Sequence, residues 1–109
     1  MAADSAISES EWRNLTNGNT VHYKANGPLV GREYYPPGEY FSVFQDASGT
    51  CYEGPWAYTE GKFCFLYADN FQCFAHLRRG DKIVSKSDVN GREQVIDQIV
   101  GGDGLSCSR

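Results

Sequence analysis

At 109 residues the chain fits one domain around one hydrophobic core and leaves no room for a second. Its formal net charge of -4 and pI near 5.0 argue against nucleic acid as a partner, because affinity for a phosphate backbone comes from Lys and Arg, and they disfavour an anionic bilayer surface for the same reason. No run approaches the roughly twenty apolar residues of a membrane helix, since even Phe63 to Tyr67 stops at Ala68-Asp69-Asn70, so no membrane insertion is expected.

In chain order, Met1-Ala2-Ala3-Asp4-Ser5 reads as a start residue placed before a mature terminus left by cleavage after small residues. Residues 1–7 are small and polar and are expected to be disordered. Ser8 followed by Glu11 has the spacing of a capping box, and Trp12 and Leu15 fall on one side of the turn that follows, so a short α-helix is expected over residues 8–16. Asn17-Gly18 ends it. The period then changes to two: Val21, Tyr23 and Ala25 alternate with Thr20, His22 and Lys24, the pattern of a half-buried strand.

The same rhythm repeats, with aromatic and β-branched runs broken by Asn26-Gly27, Pro36-Pro37-Gly38, Asp46-Ala47-Ser48-Gly49, Glu60-Gly61, Arg79-Gly80 and Asn90-Gly91. Strands are expected over 29–35, 39–45, 50–58, 62–67, 71–77 and 82–87. Residues 94–100 fit either a helix or a strand, and their β-branched content in a sheet-rich chain favours a closing strand. The fold class is therefore mainly β, an antiparallel meander of about seven or eight strands curled into a small barrel or half-barrel with a short N-terminal α-helix. Residues 8–100 form the single β domain and 101–109 a Gly-rich C-terminal tail.

Cys51, Cys64, Cys73 and Cys107 are an even number in a small chain, which suggests two bridges in an oxidising compartment and allows three connectivities. None belongs to a C-x-x-C pair, so zinc-ribbon and thioredoxin-like readings lose their main support. A tight turn at Ala68-Asp69-Asn70 places Cys64 opposite Cys73 and Leu66 opposite Phe71 on one apolar face, with Phe63, Phe65, Tyr67, Phe74 and His76 on the reverse. Two apolar faces on one hairpin imply burial on both sides. Cys64 is thus expected to bridge to Cys73, which leaves Cys51 to Cys107 by elimination.

The segments Trp12-Arg13-Asn14-Leu15-Thr16-Asn17-Gly18-Asn19-Thr20-Val21, Cys51-Tyr52-Glu53-Gly54-Pro55-Trp56, Phe63-Cys64-Phe65 and Cys73-Phe74 resemble small secreted domains of proteobacteria catalogued only as a domain of unknown function. Asn17 is inserted relative to the tighter Leu-Thr-Gly-Asn-Thr form of those domains. The resemblance spans most of residues 8–100 and implies an extracytoplasmic, cysteine-stapled β domain. It brings no catalytic residues with it.

Cys73 and His76 invite a thiol–imidazole pair or, with Cys64 and Cys51, a zinc site. Residues three apart on a strand face opposite ways, which opposes both, so no metal, cofactor or catalytic residue is assigned and the protein is expected not to be an enzyme. Glu53 and Glu60 read as solvent-facing. Arg79-Gly80-Asp81 is an adhesion tripeptide that a hairpin tip also produces by chance, and the sequon Asn14-Leu15-Thr16 falls inside the expected helix.

The strongest candidate for a functional surface is the proline-stiffened loop flanked by Tyr34, Tyr35, Tyr40 and Phe41, because adjacent aromatics on a strand cannot all face one core. These are the candidate partner-binding residues. The function expected is a non-enzymatic binding module, periplasmic or secreted, that recognises another protein, with an inhibitor of a cell-wall hydrolase as one concrete version. The alternative is a lipocalin-like carrier of a small apolar ligand, which needs an open barrel lined by aromatics such as Phe63, Phe65 and Phe74. A filled core with exposed Tyr35 and Tyr40 would favour the protein-binding module instead.

Overall fold

The computed structural model describes residues 4–107. Strand β1 (Ser5–Ala6) is followed by helix α1 (Glu9–Thr16) and eight further strands: β2 (Asn19–Lys24), β3 (Leu29–Tyr34), β4 (Phe41–Asp46), β5 (Cys51–Thr59), β6 (Lys62–Tyr67), β7 (Asn70–Arg79), β8 (Lys82–Ser87) and β9 (Glu93–Gly101). From β2 onward each strand pairs antiparallel with the next, and β9 returns to pair with β2, closing an up-and-down barrel. The ambiguous stretch after Gly91 is thus a strand, and it is the one that closes the wall.

Closure follows from side-chain periodicity. In β3 and β4, Glu33 lies opposite Phe44 and Arg32 opposite Gln45, so one parity points inward and the other out. The hairpin β6–β7 has Cys64 opposite Cys73, Leu66 opposite Phe71 and Phe63 opposite Phe74, the expected register. Phe63, Phe65 and His76 consequently face the interior and are buried, while Leu66 and Phe71 are exposed on the outside.

The helix begins where Ser8 Oγ accepts the Glu11 N–H, but the Glu11 carboxylate does not complete the reciprocal box. It pairs instead with Arg78 on β7, fastening the helix to the wall. Trp12 is fully buried and enters one end of the barrel among Tyr35, Phe63 and His76. Residues 1–3 lie outside the described residues. Residues 4–7, expected to be disordered, instead hold to β7: Ser5 and Ala6 pair with Arg78 and Leu77, and Ile7, 1% exposed, joins the core. One branched apolar side chain in a polar segment suffices when it can enter an end of the barrel already occupied by Trp12.

Both disulfides have the expected partners, Cys64–Cys73 and Cys51–Cys107. The tail from Gly102 to Cys107 is a strap across the outer face of the wall. Thr20 Oγ1 donates to Gly102 O (2.6 Å) and accepts from Gly104 N (2.8 Å), Arg32 donates to Gly104 O (2.8 Å), and Gln45 bonds both the backbone and the hydroxyl of Ser106. Residues 108–109 of the expected tail lie outside the described residues. The two disulfides suit an oxidising, extracytoplasmic compartment, and among the described residues no helix is long and apolar enough to cross a membrane.

Candidate functional site

Trp12 fills one end of the barrel; the other end holds a cavity of about 650 Å³. It reaches solvent at the β6–β7 turn, where the exposed residues Ala68, Asp69 and Asn70 line its mouth. Six aromatic side chains form its walls: Tyr23, Phe44, Tyr52, Phe65, Tyr67 and Phe74. Gly31 sets part of its width, because a Cβ there would lie 2.2 Å from Cζ of the Phe44 ring. The missing side chain lets that ring lie against the wall.

Glu33 is the polar centre of the cavity. It is buried, and three phenols donate to it: Tyr23 at 2.7 Å and Tyr35 at 2.6 Å to Oε1, and Tyr67 to Oε2. Ser42 Oγ lies 2.6 Å from the Tyr67 oxygen and, with the phenolic hydrogen directed to Glu33, acts as its donor. Burial raises the Glu33 carboxyl above its ordinary range while the three phenolic hydrogen bonds act the other way. Burial and the adjacent carboxylate push all three phenols well above theirs. Arg32 next in sequence points to the outer face, to Gln45 and Gly104, and leaves the carboxylate to the tyrosines.

His76 also lines the cavity. Its ring stacks on Phe63 at 4.4 Å and lies 4.0 Å from Trp12, and its Nδ1 has no hydrogen-bond partner among the described residues. Burial alone lowers its pKa from 6.5 to about 3, so the imidazole is neutral in the folded protein at ordinary pH. The unfolded chain takes up the proton near pH 6.5 and the folded chain does not until about pH 3, so this residue's contribution to stability is complete above pH 6.5 and falls as the pH drops. The loss is about 1.4 kcal/mol per pH unit, or ~3 kcal/mol between pH 6.5 and 4. The raised Glu33 carboxyl has the opposite slope, stabilising below its unfolded pKa and losing that contribution as the pH rises. Urea titrations of the wild type and His76→Phe across this range separate the two. The variant should lack most of the acid-induced loss, the remainder coming from His22, whose pKa burial also lowers, and an unchanged slope would exclude His76 as its source.

The candidate surface loop is not a continuous exposed patch. Tyr35 is 2% exposed and bound to Glu33, Tyr34 and Phe41 are half-buried, and only Tyr40, 46% exposed, reaches solvent. Tyr40 itself donates to Glu9, carries the Arg13 guanidinium 4.2 Å over its ring and packs against Trp56. The two prolines turn this loop back onto the helix, so its aromatics brace the closed end rather than project from it. Of the expected cavity phenylalanines, Phe65 and Phe74 line the space and Phe63 lies beneath it with Trp12. Cys73 and His76 fall on opposite faces, Arg79 of the adhesion tripeptide is held by Asp4 and Glu93, and Thr16 of the sequon is buried with its hydroxyl on Trp12 O.

Sequence reasoning missed Glu33 and Phe44. The available signal was parity: Gly31, Glu33 and Tyr35 share one face, and the gap left at Gly31 belongs to an inward ring. Comparison of the chain with protein families, curated proteins and solved structures finds no match.

Proposed function

We propose that this protein is a non-enzymatic carrier that holds a small, largely apolar ligand inside its barrel, acting in the periplasm or after secretion. The observation that carries this reading is the cavity of about 650 Å³ with aromatic walls and one buried polar centre, within the size range of small-molecule sites. A closed end, a rigid hydrogen-bonded wall and a solvent-facing mouth suit uptake and release at a single opening. The protein-recognition alternative, including inhibition of a cell-wall hydrolase, rested on Tyr34, Tyr35, Tyr40 and Phe41 as exposed anchors. Tyr35 is core and Tyr40 is engaged by Glu9 and Arg13, which favours the carrier reading over that alternative.

The test is titration with the neutral fluorophore N-phenylnaphthylamine. The wild type should give a saturable, single-site rise in emission. Gln72 lies opposite Phe65 at the exposed part of the lining, so Gln72→Trp should obstruct the cavity at little cost in stability. It is expected to weaken binding about tenfold or more, ~1.4 kcal/mol. Absence of saturable binding to the wild type would remove the carrier reading.

A further inference from the structure

The cavity has one feature that an apolar ligand alone does not use. Glu33 is a buried carboxylate, and among the described residues no Lys or Arg pairs with it. A carboxylate offers about four acceptor positions, and the three tyrosines fill three, two on Oε1 and one on Oε2. One position on Oε2 is left. His76 is packed on Trp12 and Phe63 with its Nδ1 sealed from solvent, so Glu33 is the polar group the cavity offers. The charged residues of the lining are all acidic, with Asp46 and Asp69 nearer the mouth and no Lys or Arg among the described lining residues.

Each ligand charge meets a different balance in this setting. An anion would be brought beside Glu33 in a poorly screened interior, where like charges repel several times more strongly than in water. A neutral molecule would fill the space but leave the carboxylate without a counter-charge. A cation bearing N–H groups supplies that charge, and the aromatic walls receive it through their ring faces. Resting on the carrier reading, we propose that the ligand is an organic ammonium ion with an aromatic or aliphatic body, its N–H groups directed to Glu33 and its body against the rings of Tyr23, Phe65 and Tyr67. The acidic rim steers such a ligand inward, and the overall charge of -4 has the same sign.

Isothermal titration calorimetry of the full, oxidised chain at neutral pH with three ligands of matched body tests this: naphthylethylammonium, naphthylethanol and naphthylacetate. The ammonium should bind at least about tenfold more tightly than the alcohol, and the acetate should bind most weakly. Glu33→Gln should abolish the preference, bringing the ammonium to the level of the alcohol measured on the same variant. If the alcohol or the acetate binds as tightly as the ammonium, the cation preference is overturned and the carrier reading stands. If none of the three binds, both fall. Full preference retained in Glu33→Gln overturns Glu33 as the anchor, and the wild-type comparison decides by itself should that variant fail to fold.

Discussion

Reduction of the two disulfides is expected to lower the melting midpoint by tens of degrees. Cys64–Cys73 and Cys51–Cys107 close loops with sequence separations of 9 and 56, to which the chain-entropy model assigns about 2.5 and about 4 kcal/mol. Together they are comparable to the whole stability of a domain this size, about 5–15 kcal/mol. At roughly 4–8 °C per kcal/mol the combined loss is a shift of about 25 °C or more. The larger share belongs to Cys51–Cys107, whose loss also frees the strap from the outer wall. Thermal melts with and without a strong reductant, repeated on the Cys51→Ser/Cys107→Ser and Cys64→Ser/Cys73→Ser pairs, give the total and the division. Equal midpoints in both redox states would make the cysteines incidental and remove the main physical argument for an oxidising compartment.

Trp12→Ala should be the most damaging single substitution in the core. Trp12 is the large side chain of the helix that is fully buried, and it touches Tyr35, Phe63 and His76 at once. Truncation of a fully buried Trp costs about 3–5 kcal/mol through lost burial and the void left behind. Here the void adjoins the floor of the existing cavity, beside His76, so the expected result is a less stable barrel with a deeper interior. Urea unfolding measures the first effect. The second appears as recovery of part of the lost stability on adding N-phenylnaphthylamine in excess, because a ligand that binds only the folded state raises its stability. Stability unchanged within about 1 kcal/mol would mean the closed end is held by other contacts.

The strands were legible because their two signals, alternation and glycine-bearing turns, are local. Lys62 to Tyr67 and Lys82 to Ser87 fall where alternation places them, and the pairing of Cys64 with Cys73 followed from a three-residue turn. The polar centre was not legible. Glu33 sits between Arg32 and Tyr34, a context that reads as solvent-facing, and its phenolic partners lie 10, 2 and 34 residues away. Only closure of the barrel brings Tyr23 and Tyr67 to the same carboxylate. The burial of Tyr35 is hidden for a related reason: excess aromatics on one segment fit either an exposed surface or cover on both sides, and the helix and the carboxylate that cover Tyr35 lie outside that segment. Ile7 escaped notice because burial of a single residue near a terminus leaves no periodicity to read.

The seam between β2 and β9 has a consequence for how the molecule forms. Asn19 pairs with Gly101, and Thr20 holds Gly102 and Gly104, so the last contacts of the wall join residues more than eighty positions apart. Apart from the short β1–β7 pairing, the other strand pairings link neighbours in the sequence and can assemble as successive hairpins. A chain emerging from N to C terminus therefore builds a curved, open sheet whose first strand waits, with one edge unpaired, until the ninth arrives. The entropy of that long closure comes at the end, when little else remains to be gained, which makes the seam the slow step of assembly and the natural place for the wall to open first.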